Sequence, residues 1–167
     1  MSNIILIGMP ASGKSTVGVL LAKCLGYRFL DCDLLIQEKE GKLLHEIISE
    51  QGVPAFLEIE DRICAGIEAD RTVISTGGSA VYGERAMAHL KTLGKVLYLK
   101  IDYDTLEKRL GDYSHRGVVS PRGGTLRELF DERTALYEKY ADAVVDEADT
   151  EGDLSKTVAH CVALCEE

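Results

Sequence analysis

The sequence predicts one α/β domain with a parallel sheet covered by helices on both faces. Short apolar runs alternate with segments of helical period along the chain, the pattern of strands buried on both sides. A glycine-rich stretch, Gly8-Met9-Pro10-Ala11-Ser12-Gly13-Lys14-Ser15-Thr16, lies between the first apolar run and the first amphipathic one, where a strand hands over to a helix. The length, 167 residues, suits one domain with a real core and argues against two.

The elements follow in order. Residues 3–7 read as a buried strand, and 15–25 as a helix stopped by Gly26. Residues 27–31 form a second strand. Residues 34–51 and 54–69 read as two helices, with Leu43, Leu44, Ile47 and Ile48 as an apolar stripe on the first. A third strand covers 72–75 and runs into Thr76-Gly77-Gly78. Helix 84–93, strand 95–101 and helix 105–110 come next. Residues 111–124, GDYSHRGVVSPRGG, have no clear period and read as a mobile lid loop. Helix 125–140, strand 143–145 and an amphipathic helix over 153–165 close the chain. No repeat or low-complexity linker divides it.

Bulk composition narrows the function. Hydrophobic residues make up 46% and charged residues 28%, ordinary for a globular protein. A net charge of −9 argues against a nucleic-acid partner. It leaves room for an anionic small ligand, because local charges dominate inside a cleft. No apolar run approaches the roughly 20 residues needed to span a bilayer, and the start lacks a basic leader, so a cytoplasmic protein without membrane association is expected. A monomer is the expectation for this size. The cysteines at 24, 32, 64, 161 and 165 show neither C-x-x-C nor zinc spacing, which predicts reduced thiols and no metal cage. Cys161 and Cys165 are one helical turn apart, where core packing is expected.

Residues 8–15 fit G-x-x-x-x-G-K-[ST]. Its glycines let the backbone curl so that successive N–H groups face phosphate oxygens, and the helix that follows adds the positive end of its dipole. Lys14 would reach the β- and γ-phosphates, and the Ser15 hydroxyl would bind Mg²⁺. Gly8, Ala11, Ser12, Gly13, Lys14, Ser15 and Thr16 are therefore the expected nucleotide contacts. The chain lacks an N-K-x-D guanine-reading motif and is short for a switch GTPase, so ATP is the expected nucleotide.

Three later stretches bear on the acceptor. Asp31 and Asp33 lie two apart at the carboxyl end of the second strand, where open α/β sheets bind ligands. One could hold hydrated Mg²⁺ and the other orient and deprotonate an acceptor hydroxyl; equally, both could cap the next helix. In the second stretch, residues 74–79, Gly77 and Gly78 would let backbone approach a ligand, or make a plain tight turn. The third is an arginine series, Arg109, Arg116, Arg122 and Arg133, which could stabilise transferring phosphoryl charge or merely solubilise the surface.

Together these motifs resemble the shikimate kinase family over nearly the whole chain. The phosphate loop, Asp31-Cys32-Asp33, the glycine–phenylalanine–glutamate spacing of Gly52, Phe56 and Glu60, Ser75-Thr76-Gly77-Gly78, a lid arginine and Arg133-Thr134-Ala135-Leu136-Tyr137 occur in the family's order. The resemblance implies a nucleoside-monophosphate-kinase-like, three-layer α/β/α P-loop NTPase fold. Its sheet would have five parallel strands in the order 2-3-1-4-5, with a mobile lid at about 111–124 and an acceptor-binding helical segment at about 32–69. It implies transfer of the ATP γ-phosphate to the 3-hydroxyl of shikimate. Lys14, Asp33 and Arg116 match catalytic residues, and Ser15 and Asp31 the Mg²⁺ ligands. Arg109 matches an arginine that packs on adenine. Gly77 and Gly78 match two glycines at the acceptor, and Ser79 replaces a third. Arg133 matches one of two arginines that clamp the acceptor carboxylate.

The other clamp is absent: the family reads F-R-x-x-E, and here Leu57 follows Phe56. Losing one partner of a buried charge pair costs on the order of 2–5 kcal/mol. Glu60 and Asp61, three and four residues on, share about the same helix face, which predicts a more acidic pocket. A small hydroxylated acid remains the expected substrate, with shikimate first. Homoserine, which carries both an ammonium and a carboxylate, is the alternative, and Leu57 packing into the core is the plainer account of the substitution. An inactive nucleotide-binding regulator is a further alternative, which intact Lys14, Asp33 and Arg116 argue against. So is a nucleoside monophosphate kinase, for which the segment between the second and third strands has few arginines.

Overall fold

The structure is a computed structural model that describes residues 3–111 and 119–166. Strands β1 (Asn3–Ile7), β2 (Arg28–Asp31), β3 (Thr72–Ser75), β4 (Gly94–Lys100) and β5 (Ala143–Asp146) pair in parallel throughout, in the order β2-β3-β1-β4-β5. This is the expected sheet. The two-residue period of β1 divides the core between its faces. Ile4 and Leu6 join Val17, Leu21, Val158 and Cys161 from helices α1 (Lys14–Leu25) and α9 (Leu154–Glu166). Ile5 and Ile7 join Met87, Leu90, Tyr98 and Tyr137 on the other face, under α5 (Glu84–Leu93) and α7 (Leu126–Tyr140). Central β1 and β3 are buried along their whole lengths, which is why they read as unbroken apolar runs.

The chain order reverses direction across the sheet at β1, whose neighbours are β3 and β4. The crevice beyond the carboxyl ends at such a switch point is where open α/β sheets bind ligands. The loop after β1, the start of the segment after β2 and the glycines after β3 all arrive there.

Several boundaries differ from expectation. The stretch expected as one helix over 34–51 is two, α2 (Cys32–Glu40) and α3 (Leu44–Gln51). Gly41, in the left-handed region at φ 65°, ends the first. The stripe of Leu43, Leu44, Ile47 and Ile48 lies wholly beyond that break, at and after the start of α3, and does not join the two helices. Helix α4 (Val53–Ala65) stops at Gly66, short of the expected 69. A 3-10 turn at Ala80–Tyr82 and the short α8 (Glu147–Thr150) fall below the length that periodicity detects. Helix α6 (Tyr103–Leu110) begins at an Asp102 cap, and α7 at a Thr125–Glu128 capping box. Of the expected lid, residues 112–118 lie outside the described residues. Among the described residues, no helix is long and apolar enough to cross a membrane.

Candidate active site

The loop after β1 is shaped by its backbone. Gly8 ends the strand at φ 151°, and a Cβ there would lie 2.6 Å from the Leu99 carbonyl oxygen. Gly13 takes φ 87° and precedes α1 without offering a side-chain cap, so the first-turn N–H groups are left to a ligand. Ala11 is held at φ 63°, a strained value for a residue with a Cβ and one concentrated at functional loops. Lys14 opens α1 and is 8% exposed. Its Nζ donates to the carbonyls of Gly8 (2.9 Å) and Met9 (2.8 Å) and to Ser12 Oγ (3.4 Å). Burial lowers its pKa to about 8; Arg133 pushes the same way, while Asp33 and Asp31 oppose it.

Ser15 Oγ donates to Asp31 Oδ2 at 2.7 Å and lies 3.3 Å from Ser75 Oγ. The other Asp31 oxygen, Oδ1, accepts from the backbone N–H groups of Asp33 (2.9 Å) and Leu34 (3.3 Å), capping α2. The capping reading of Asp31 therefore holds through Oδ1, while Oδ2 faces the Ser15 hydroxyl. Hydroxyl and carboxylate oxygens side by side suit a hard cation such as Mg²⁺, which is bound through few protein ligands alongside substrate phosphates. Asp33 is in the first turn of α2, not on the strand, so strand alternation does not bring the two acids together; the helix start does. Burial raises the Asp33 carboxyl above its ordinary range, the nearby Asp31 adds to this, and Lys14 opposes it.

Asp33 joins two clefts. One is lined by the loop, Lys14, Ser15, Thr16 and Thr76; the other by Phe56, Glu60, Ser79 and Arg133. Pro10, Asp33, Gly77 and Gly78 line both. In the second cleft Arg133 is 1% exposed, donates from Nη2 to the Val119 carbonyl, and lies over the Tyr82 ring. Tyr137, one helical turn on, donates its hydroxyl to the Gly78 carbonyl at 2.6 Å and so fixes the glycine turn. A Cβ at Gly77 would stand 2.8 Å from both Asp33 Oδ1 and Glu60 Oε2. One at Gly78 would stand 2.8 Å from Arg133 Nη1 and from Pro10 Cδ. Both positions require close backbone approach, beyond what a plain turn needs.

Leu57 is half-buried and packs against the apolar cluster of Ile36, Ile47, Phe56, Ile59 and Ile63. The two acids grouped with it part company. Asp61 turns to α5, accepting from Arg85 Nε at 2.6 Å and from the Ala86 N–H at 2.8 Å. Glu60 alone enters the cleft. It is 2% exposed, its Oε1 accepts from Ser79 Oγ at 2.6 Å, and its Oε2 has no hydrogen-bond partner among the described residues. Burial pushes its pKa up to about 7, against the Ser79 hydrogen bond. Glu60 is absent from the expected site set; its i+4 spacing from Phe56, on the buried helix face, is the signal that identifies it.

Arg109 lies further along, in a third cleft with Ser12, Gly13, Thr16 and Leu154. Its Nη1 donates to the Ala11 carbonyl at 3.1 Å, and its Nη2 pairs with Glu147. Arg122 is exposed at 3.8 Å from Glu132 and lines none of these clefts. Arg116 lies outside the described residues.

The chain was compared with known proteins. A model of the shikimate kinase family matches residues 10–164. A shikimate kinase of Gloeobacter violaceus is 38% identical over 168 residues, spanning 96% of this chain and 92% of its own. The structure of shikimate kinase from Aquifex aeolicus is similar at a TM-score of 0.81 and 32% identity, over 96% of this chain and 94% of that one. The Acinetobacter baumannii shikimate kinase, solved in complex with shikimate, is similar at a TM-score of 0.75 and 29% identity, over 87% and 83%.

Proposed function

The chain belongs to the shikimate kinase family, and on that footing we propose that it transfers the γ-phosphate of ATP to the 3-hydroxyl of shikimate. The observation that carries this reading is the junction at Asp33. A phosphate-holding loop and a cleft with a buried guanidinium meet at one carboxylate, flanked by glycines that admit a ligand.

Each residue then has a task. The free backbone N–H groups of the loop and of the start of α1 cradle the phosphates, and Lys14 neutralises the charge that spreads onto the transferring group. Ser15 and Asp31 would hold Mg²⁺, which when bound shields the phosphate charge. Arg133 draws in the acceptor carboxylate, and Gly77 and Gly78 set its depth. Asp33 orients the acceptor hydroxyl and takes its proton late, since phosphoryl transfer asks little covalent chemistry of the protein. Arg109 packs on the base. Arg116 is assigned to the transferring phosphoryl group from its place in the sequence alone. The relatives favour neither homoserine as acceptor nor a silent nucleotide binder.

The test is acceptor-dependent ADP release with ATP and Mg²⁺, running shikimate and homoserine side by side. Turnover on shikimate with little on homoserine is expected. The reverse would make Leu57 the mark of a changed substrate.

A further inference from the structure

Position 57 carries a leucine packed against an apolar cluster, and among the described residues Arg133 is the one cation that lines the acceptor cleft. Glu60 is buried, one turn along α4, with Ser79 as the sole hydrogen-bonding partner of its carboxyl among the described residues. Its free oxygen, Oε2, flanks the same point above Gly77 as Asp33 Oδ1. A buried polar atom without a partner is costly unless a ligand or a proton satisfies it. Two carboxylates so close, away from water, disfavour double ionisation. Ser79 supplies a hydroxyl in place of the family's third glycine, and a hydroxyl holds a carboxyl without neutralising it.

Resting on the acceptor reading above, we infer that Glu60 sets the charge preference of the acceptor cleft in place of the guanidinium that Leu57 removes. Carrying its proton, Glu60 donates a hydrogen bond from Oε2 into the cleft, and an acceptor carboxylate binds beside Arg133. Without it, the cleft holds a second negative charge beside Asp33 and expels an anionic acceptor. The groups that bear on Glu60 come from every side. Asp33 and the Cys32 thiol face it from α2, and Arg133 from α7. Ser79 comes from the segment after β3, and Asp61 lies on α4 itself. Helix α3 gives the cleft only Leu44 and Ile48. Arg85, on α5, is taken up by Asp61 and Glu58. Arg133 alone among these favours ionisation by its charge, and it does not outweigh burial: the carboxyl titrates at about 7.

The sign follows from that position. Below it the acid is neutral and shikimate binds; above it KM for shikimate climbs, approaching tenfold per pH unit if only the protonated form binds. Between pH 6 and pH 8 the expected rise is about tenfold at saturating ATP, with a much smaller change in kcat. Glu60→Gln keeps a donor for the acceptor and an acceptor for Ser79, but cannot ionise, so its KM should be level over that range. Lys14 and Asp33 titrate in both proteins, so only the difference between the two profiles counts. Leu57→Arg is the second variant: a guanidinium beside Glu60 should ionise it and level the profile in a different residue background.

A level wild-type profile, or the same slope in Glu60→Gln, would overturn the inference while leaving the kinase reading intact. Absence of turnover on shikimate at every pH would overturn the kinase reading. The inference is then still decided by the ¹³C shift of the Glu60 carboxyl, assigned with Glu60→Gln. A midpoint near neutral supports it, and one near the ordinary ~4.3 sinks it, whatever the acceptor.

Discussion

At the phosphate end, most of the groups that would meet a ligand come from one unbroken stretch, residues 8–16, and most of them are backbone. At the acceptor end they come from positions as far apart as Pro10, Asp33, Glu60, Gly77 and Arg133, and most are side chains. The first end is fixed once β1 and α1 are fixed, because the loop between them has little freedom. The second exists only when α2, α4, the turn after β3 and α7 have packed together. A substitution near the loop therefore acts through local geometry, whereas one at the acceptor end changes what its distant neighbours do. Helix α4 is the natural example: Leu57 lies against an apolar cluster, and one turn on Glu60 enters the cleft with one oxygen unpartnered among the described residues.

The largest expected effect lies where the two ends meet. Asp33→Asn keeps the shape of the junction and removes the proton acceptor, so kcat should fall by about 10²- to 10⁴-fold. KM for ATP should change by no more than a few-fold, because Lys14 and the loop N–H groups are untouched. Steady-state kinetics in both substrates check this. A loss of ATP binding of the same size as the loss of kcat would mean that the two ends are not separable at Asp33.

The same contrast explains what could be read in the sequence. The parallel sheet, the loop, and the positions of Lys14 and Ser15 follow from strand–helix alternation and from a motif whose mechanism is local. The strand order and the division of labour between Asp31 and Asp33 required the family resemblance. Arg133 and the glycines at 77 and 78 required the family resemblance, since nothing in the spacing between residues 33, 77 and 133 says that they meet. Glu60 and Asp61 mark the limit. Helical period places both on one broad face, but only packing decides that Asp61 pairs with Arg85 while Glu60 enters the cleft. The break at Gly41 is marked in the sequence by that single glycine, and the apolar stripe at 43–48 begins only beyond it.

A smaller effect probes the acceptor side of the junction. At Gly77, an alanine methyl would press on Asp33 Oδ1 and Glu60 Oε2 at 2.8 Å, and those carboxyl ends can yield only by leaving their present positions. Gly77→Ala should raise KM for shikimate about tenfold, equivalent to roughly 1.4 kcal/mol, with KM for ATP nearly unchanged. The melting temperature should fall only slightly, because the added methyl faces a cleft and not the core. An equal rise in both KM values would mean that the glycine turn acts on the phosphate cleft as strongly as on the acceptor cleft, both of which it lines.

Arg109 should matter least, and that weakness is itself the sharpest check on the comparison. It is the long side chain that the family resemblance adds to the nucleotide end, and it is 38% exposed where it pairs with Glu147. Exposed ion pairs and exposed cation–π contacts are each worth at most about 1 kcal/mol. If the nucleotide is held chiefly by loop backbone and Lys14, Arg109→Ala should raise KM for ATP only about two- to fivefold and leave kcat and the shikimate KM alone. A rise beyond about thirtyfold would exceed what an exposed contact can supply. The nucleotide end would then also depend on a side chain delivered from another helix, as the acceptor end does, because Arg109 reaches the loop from α6 through the Ala11 carbonyl.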